Sequence, residues 1–132
     1  MGHTIKLAAL GAVAFMVLDG VWLGVLMKNF YRDQLAPIVR LADGRIAPNW
    51  PAALVVYALL GTGIAVFVIP HASTVSLAAA YGALFGLVVY GVYDFTNYST
   101  LRQWPFVLTL ADLAWGAAAS AVAAVAVRSV VR

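Results

Sequence analysis

Three acidic residues of this chain, Asp19, Asp94 and Asp112, fall within or at the end of long apolar runs. A carboxylate at the centre of a membrane-crossing helix costs about 2.5–3.5 kcal/mol on insertion scales, so each needs a partner, a cavity or a task. Their surroundings repeat. Asp19 and Trp22, like Asp112 and Trp115, are spaced i, i+3, so each indole can wall its carboxylate or supply an N–H to a shared pocket. Tyr90, Asp94 and Asn97 follow at i, i+4, i+7 and share one helical face. The other two acids, Asp33 and Asp43, belong to a polar loop and call for no such account.

Helical rise sets the depth of each group. Asp19 precedes Lys28 by nine residues, about 13 Å along the axis. Asp94 precedes Arg102 by eight residues and Asp112 follows Trp104 by eight, about 12 Å in each case. Tyr57, seven residues after Trp50, reaches about 10 Å from the same side. The three carboxyls therefore share a tier. One ligand pocket is expected there, formed by Asp19, Trp22, Tyr57, Tyr90, Asp94, Asn97, Asp112 and Trp115, and open towards the side that carries the long loop. The plainer alternative is that Asp94, Thr96 and Asn97 close a helix end and cap a turn, while the two tryptophans pack or anchor.

The chemistry such a set allows is narrow. There is no cysteine, and His3 and His71 belong to the opposite side, so no metal centre is expected. Aspartates alone suit a proton or a hard cation better than zinc. Ser73, Ser99 and Ser120 lack a nucleophile-elbow context, and no glycine-rich phosphate loop is present. No cofactor can be named.

The elements that must hold these residues follow from composition. Of 132 residues 64% are hydrophobic and 10% charged, against about 45–50% and about 25% in soluble domains. So much apolar surface cannot be hidden inside a chain this small. The surrounding medium is lipid. Four runs are long enough to cross about 30 Å of hydrocarbon, at about 7–27, 51–69, 76–97 and 106–127. The first is too long and too acidic for a cleaved signal peptide. Continuous apolar runs exclude barrel strands. The fold expected is therefore all-α: a single domain, 1–132, an integral membrane four-helix bundle with one long interfacial loop between helices 1 and 2.

Proline in the first turn and tryptophan at the interface are expected to open helix 2 (Trp50-Pro51) and helix 4 (Trp104-Pro105). Gly82 and Gly86 let a neighbour approach helix 3 closely, as does the alanine-rich face of helix 4. The loop from Lys28 to Asn49 reads as an amphipathic surface piece, interrupted at Pro37 and turned at Asp43-Gly44. The short Pro70–Val75 link predicts an antiparallel pairing of helices 2 and 3. The basic residues flank the spans singly and form no nucleic-acid face, so membrane lipids and no nucleic acid are the expected partners. Five of them (Lys28, Arg32, Arg40, Arg45, Arg102) lie on the loop side and three (Lys6, Arg128, Arg132) on the terminal side. That bias puts loop 28–49 in the cytoplasm and both termini across the membrane.

Taken in order, Leu-Asp-x-x-Trp-Leu-Gly at Leu18–Gly24, Phe30-Tyr31, Tyr-Asp-x-Thr-Asn at Tyr93–Asn97, Trp104-Pro105 and Asp-x-x-Trp-Gly at Asp112–Gly116 form a signature. It resembles the bacterial predicted membrane protein family catalogued as domain of unknown function 2177, over nearly the whole chain. Phe95 stands where an aliphatic residue is expected, and the first loop is long. The resemblance implies a four-span protein of the bacterial inner membrane and names no activity.

Three functions compete. A small carrier or sensor would bind a proton, a cation or a cationic molecule at the aspartates, with protonation and ligand excluding each other, and would need a homodimer to complete a pathway. A membrane enzyme acting on a lipid or isoprenoid would divide acid and base roles between carboxyls, in a groove open sideways to lipid. An accessory subunit would use the aspartates to hold a partner. Binding is favoured over enzyme here.

Overall fold

In a computed structural model of the protein, which describes residues 1–131, four helices are long and apolar enough to cross a membrane. Helix α1 (Gly2–Val21) continues through a wide π-type turn, Trp22–Leu26, closed by the Met27 N–H on the Trp22 carbonyl at 2.7 Å. Helix α2 (Lys28–Leu35) follows, then a two-stranded hairpin, β1 (Leu41–Ala42) and β2 (Arg45–Ile46). Helix α3 (Trp50–Gly63) is extended by a second π-type segment, Ile64–Val68, and a 3₁₀ turn, Ile69–His71. Helices α4 (Val75–Thr100) and α5 (Phe106–Val130) complete the chain.

The ends of these elements have local causes. Pro37 carries no N–H to continue the ladder, and α2 ends at Leu35 although Ala36 keeps helical dihedrals (φ −46°, ψ −41°). Asp43 (φ 53°) and Gly44 (φ 74°) both adopt positive φ, the turn that matches the twist of a tight hairpin. The sequence marked that turn but not the strands beside it. Asn49 caps α3 by accepting from the Ala52 N–H at 3.3 Å, with Pro51 in the first turn as expected. Pro105 departs from the expectation. It is the extended residue before α5, and the helix starts at Phe106.

Backbone approach decides which helices pair. A Cβ added to Gly86 would land on the Gly116 carbonyl, and one on Gly82 would lie 2.7 Å from the Ser120 carbonyl, so α4 and α5 pack nearly backbone to backbone. Gly11 and Gly61 do the same for α1 and α3, a contact with no obvious signature in the sequence. Between the two pairs lie Phe15, Ile64, Val68, Ala119, Ala123 and Val127, all buried. The predicted antiparallel pairing of helices 2 and 3 is confined to one end. There the π-type segment Ile64–Val68 meets α4 and the Phe85 ring covers Gly63; beyond it α3 and α4 diverge. Their facing residues are bulky, whereas each helix finds glycine and alanine on another partner. The first turn of α1 and the last turn of α5 lie at the closed end, where His3, His71 and Arg128 border a hollow of about 490 Å³.

At the open end α2 lies across the bundle. Tyr31, Trp104 and Leu108 form a second small core there, with Trp22, Leu35 and Ile46 packed around it. Trp50 stands 60% exposed at the rim, as an interfacial anchor should. Trp104 does not: at 8% exposed it is buried under α2, its indole donating to the Thr109 hydroxyl at 3.0 Å.

Candidate functional site

The divergence of α3 from α4 leaves a cavity of about 420 Å³, walled by α1, α3, α4 and α5 and roofed by α2 and the hairpin. Asp19 and Asp112 are its two formally charged residues, Tyr31, Tyr90, Tyr93, Trp104 and Trp115 supply its aromatic surface, and aliphatic side chains complete the lining. Both carboxyls, expected at one depth from helical rise, border this cavity. The groove is apolar with a few convergent polar groups, the usual make-up of a small-molecule site.

Indoles and carboxyls pair across helices, not within them. Trp115 of α5 donates its Nε1–H to Asp19 of α1 at 2.8 Å. Trp22 of α1 donates to the Tyr31 hydroxyl at 3.0 Å, and Tyr31 donates in turn to Asp112 of α5 at 2.5 Å. Between these two arms the Trp22 and Trp115 rings stack, centroids 4.4 Å apart and planes 3° from parallel. The i, i+3 spacing left open whether each indole walls its own carboxylate or supplies an N–H to the pocket. The repeat builds a pseudo-symmetric exchange, because indole planes stacked between α1 and α5 point their N–H groups outward to the opposite side.

Tyr31 is the residue that sequence reasoning left out of the site. It was placed in the amphipathic loop, and its signal was the Phe30-Tyr31 pair in the family signature. Burial, and after it the bond to Asp112, hold the Tyr31 phenol above its ordinary pKa, so the hydroxyl stays a donor at neutral pH. A helix of eight residues has little stability of its own, and this bond fastens α2 to the bundle.

The remaining expected residues divide. Tyr90 lines the cavity, its ring lying over Gly116. Tyr57 turns its hydroxyl towards Asp19 but lines a neighbouring groove between α1 and α3, about 480 Å³, which Asp19 also borders. Trp22 lies behind the cavity lining as the stacking partner of Trp115. Asn97 is outside it, one turn beyond Tyr93. Asp94 is off the cavity too, fully buried between α4 and α5, and it does not cap the helix end, which lies at Thr100. Its carboxyl approaches Asp112 and the Trp104 indole, yet neither oxygen completes a hydrogen bond with protein. The single tier thus resolves into Asp19 on one wall and an Asp94–Asp112 pair on the other. Among the described residues no three metal-ligating side chains converge.

A family model described as "Predicted membrane protein (DUF2177)" matches residues 4–128. No curated protein and no solved structure matches the chain. The chain belongs to this family of predicted membrane proteins, and it is a multi-pass membrane protein with four spans.

Proposed function

We propose that this DUF2177 protein binds an organic cation with an apolar body in the cleft between α3 and α4, in competition with protons, and so works as a small carrier or sensor. The observation that carries this reading is the charge of the cleft. Asp19 and Asp112 line it, Asp94 backs it, and among the described residues no lysine or arginine lines it. The one ion pair among the described residues, Arg32 with Asp33, lies on the surface. Intramembrane acids without a basic partner call for a proton or a cationic ligand. Five aromatic side chains around the carboxyls add faces that attract an ammonium or phosphonium group. The opening between α3 and α4 lets such a ligand enter from the acyl region.

That same sideways opening favours a second reading, an enzyme acting on a lipid or isoprenoid. The donors speak for binding: each acid at the cleft accepts from a group that positions it, an indole in one case and a firmly protonated phenol in the other. Neither is a proton shuttle. We further place the protein in the bacterial inner membrane with loop 28–49 in the cytoplasm, from the five-to-three basic bias. The chain has no cysteine, so labelling of Asp43→Cys in cells by a membrane-impermeant maleimide reads the side directly; labelling from outside reverses the assignment.

The test of the cleft uses protein in nanodiscs of neutral lipid, titrated with tetraphenylphosphonium and with tetraphenylmethane, which lacks the charge. Saturable quenching of tryptophan emission by the cation alone is expected, weaker at acid pH. Asp19→Asn and Asp112→Asn should each lower affinity at least roughly tenfold, the equivalent of about 1.4 kcal/mol. Equal response to both compounds, or unchanged affinity in both variants, overturns the proposal.

A further inference from the structure

A second feature of the loop side adjoins the cleft, sharing Leu23 and Ile46 with its lining. Lys28 and Arg32, one turn apart on α2, and Arg45 on β2 surround a depression of about 220 Å³ floored by Leu23, Gly24 and Ile46. Arg32 is held in place there: its Nη1 donates to the Gly44 carbonyl at 3.3 Å, tying helix to hairpin. Arg32 also pairs with Asp33 at 3.2 Å, whereas Lys28 and Arg45 have no acidic partner among the described residues. Three cations thus converge at the level where helix α1 leaves the membrane, which is the level of lipid headgroups.

The floor of this cradle does not end there. Leu23, Gly24 and Ile46 also line the groove of about 480 Å³ between α1 and α3, which continues past Gly20 and Ala53 towards the middle of the membrane, with Asp19 and Tyr57 as its polar residues at the deep end. A Cβ added at Gly20 or Gly24 meets nothing within 4 Å, so the two glycines leave an open trough on the outer face of α1. A basic head end running into an apolar trough has the shape and charge of one lipid molecule. We infer that this site binds a single anionic phospholipid, its phosphate between Lys28, Arg32 and Arg45 and one acyl chain along Gly20 and Gly24. Charge complementarity selects the headgroup, because each basic residue near an anionic lipid surface favours association by about a tenfold factor at most. The inference does not rest on cation binding in the cleft.

Native mass spectrometry of detergent-purified protein tests it, with phosphatidylglycerol, phosphatidylcholine of the same chains, and inorganic phosphate as probes. One equivalent of phosphatidylglycerol should bind in preference to phosphatidylcholine, and millimolar phosphate should fail to displace it. The combined variant Lys28→Gln, Arg32→Gln, Arg45→Gln should weaken phosphatidylglycerol binding about a hundredfold and abolish the headgroup preference. Gly24→Leu fills the trough and keeps every charge; it should weaken both lipids alike. Gly24→Leu meets open space and Arg32→Gln gives up an exposed bond to the Gly44 carbonyl, so circular dichroism and hydrogen exchange of the hairpin check folding in each. Equal binding of the two lipids by the wild type, or full retention in the charge variant, overturns the assignment. Displacement by phosphate, together with full binding in Gly24→Leu, would make the cradle a free-phosphate site and overturn it as well.

Discussion

Replacing Tyr31 by phenylalanine removes one oxygen and keeps the buried ring, so it isolates the bond that holds α2 down. That oxygen donates to Asp112 and accepts from the Trp22 indole. A hydrogen bond to a charged group is worth about 1.5–3 kcal/mol, and a donor stranded in a buried place costs about 1–3 kcal/mol more. Trp22 and Asp112 are only partly buried, so water recovers some of the second term. The docked state of α2 should therefore lose about 2–3 kcal/mol, a shift of roughly 30- to 150-fold in its opening equilibrium. Hydrogen exchange in nanodiscs reads this locally: amides of 30–35 should exchange faster by that factor while those of α4 and α5 beside Gly86 and Gly116 stay protected. Adding Trp22→Phe to Tyr31→Phe should cost much less than Trp22→Phe alone, because the acceptor of its N–H is already gone. Unchanged exchange in α2 would refute the latch. So would uniform acceleration along the whole chain, which would mean that Tyr31 supports the bundle and not the roof.

Three further outcomes are expected. The Tyr31 phenol is raised in the folded protein, so its contribution to α2 docking is complete below its free value of about pH 10 and is lost as pH climbs above it; α2 exchange corrected for intrinsic rates should show that onset, and Tyr31→Phe should abolish it. Gly86→Ala drives a Cβ onto the Gly116 carbonyl and should destabilise by about 1–3 kcal/mol in thermal unfolding, whereas Gly91→Ala, with open space around it, should be nearly neutral. Asp94→Asn exchanges a buried carboxyl whose oxygens have no partner for an amide of the same shape, and stability should stay within about 1 kcal/mol of wild type; a loss of several kcal/mol would show that the carboxyl makes a bond its geometry lacks.

Much of this arrangement is legible in the chain. Apolar runs of about 20 residues, interrupted by Asn49-Trp50-Pro51, Pro70 to Thr74 and Gln103-Trp104-Pro105, determine four helices in lipid, because backbone groups there have no other way to be satisfied. Helical rise, a local property, put Asp19 and Asp112 at one depth, and one cavity receives both. Gly82 and Gly86 announced a close approach to helix α4, and α5 makes it.

What spacing along one helix cannot tell is which way a side chain reaches between helices. Asp19 and Trp22 are near in sequence, yet the indole that serves Asp19 is Trp115, because the crossing of α1 and α5 stacks the two rings. Asp94 has the same depth as the other acids but is turned into the α4–α5 contact, and Asn97 falls past the cavity. Tyr31 enters the site only because the roof folds back over it, a contact spanning 81 residues of chain. Composition and period thus determined the medium, the helices and the level of the carboxyls, since each depends on neighbours a few residues away. Rotation of each helix about its axis, the splay of α3 from α4 and the docking of α2 depend on how separate surfaces fit, and the tertiary structure alone decided them.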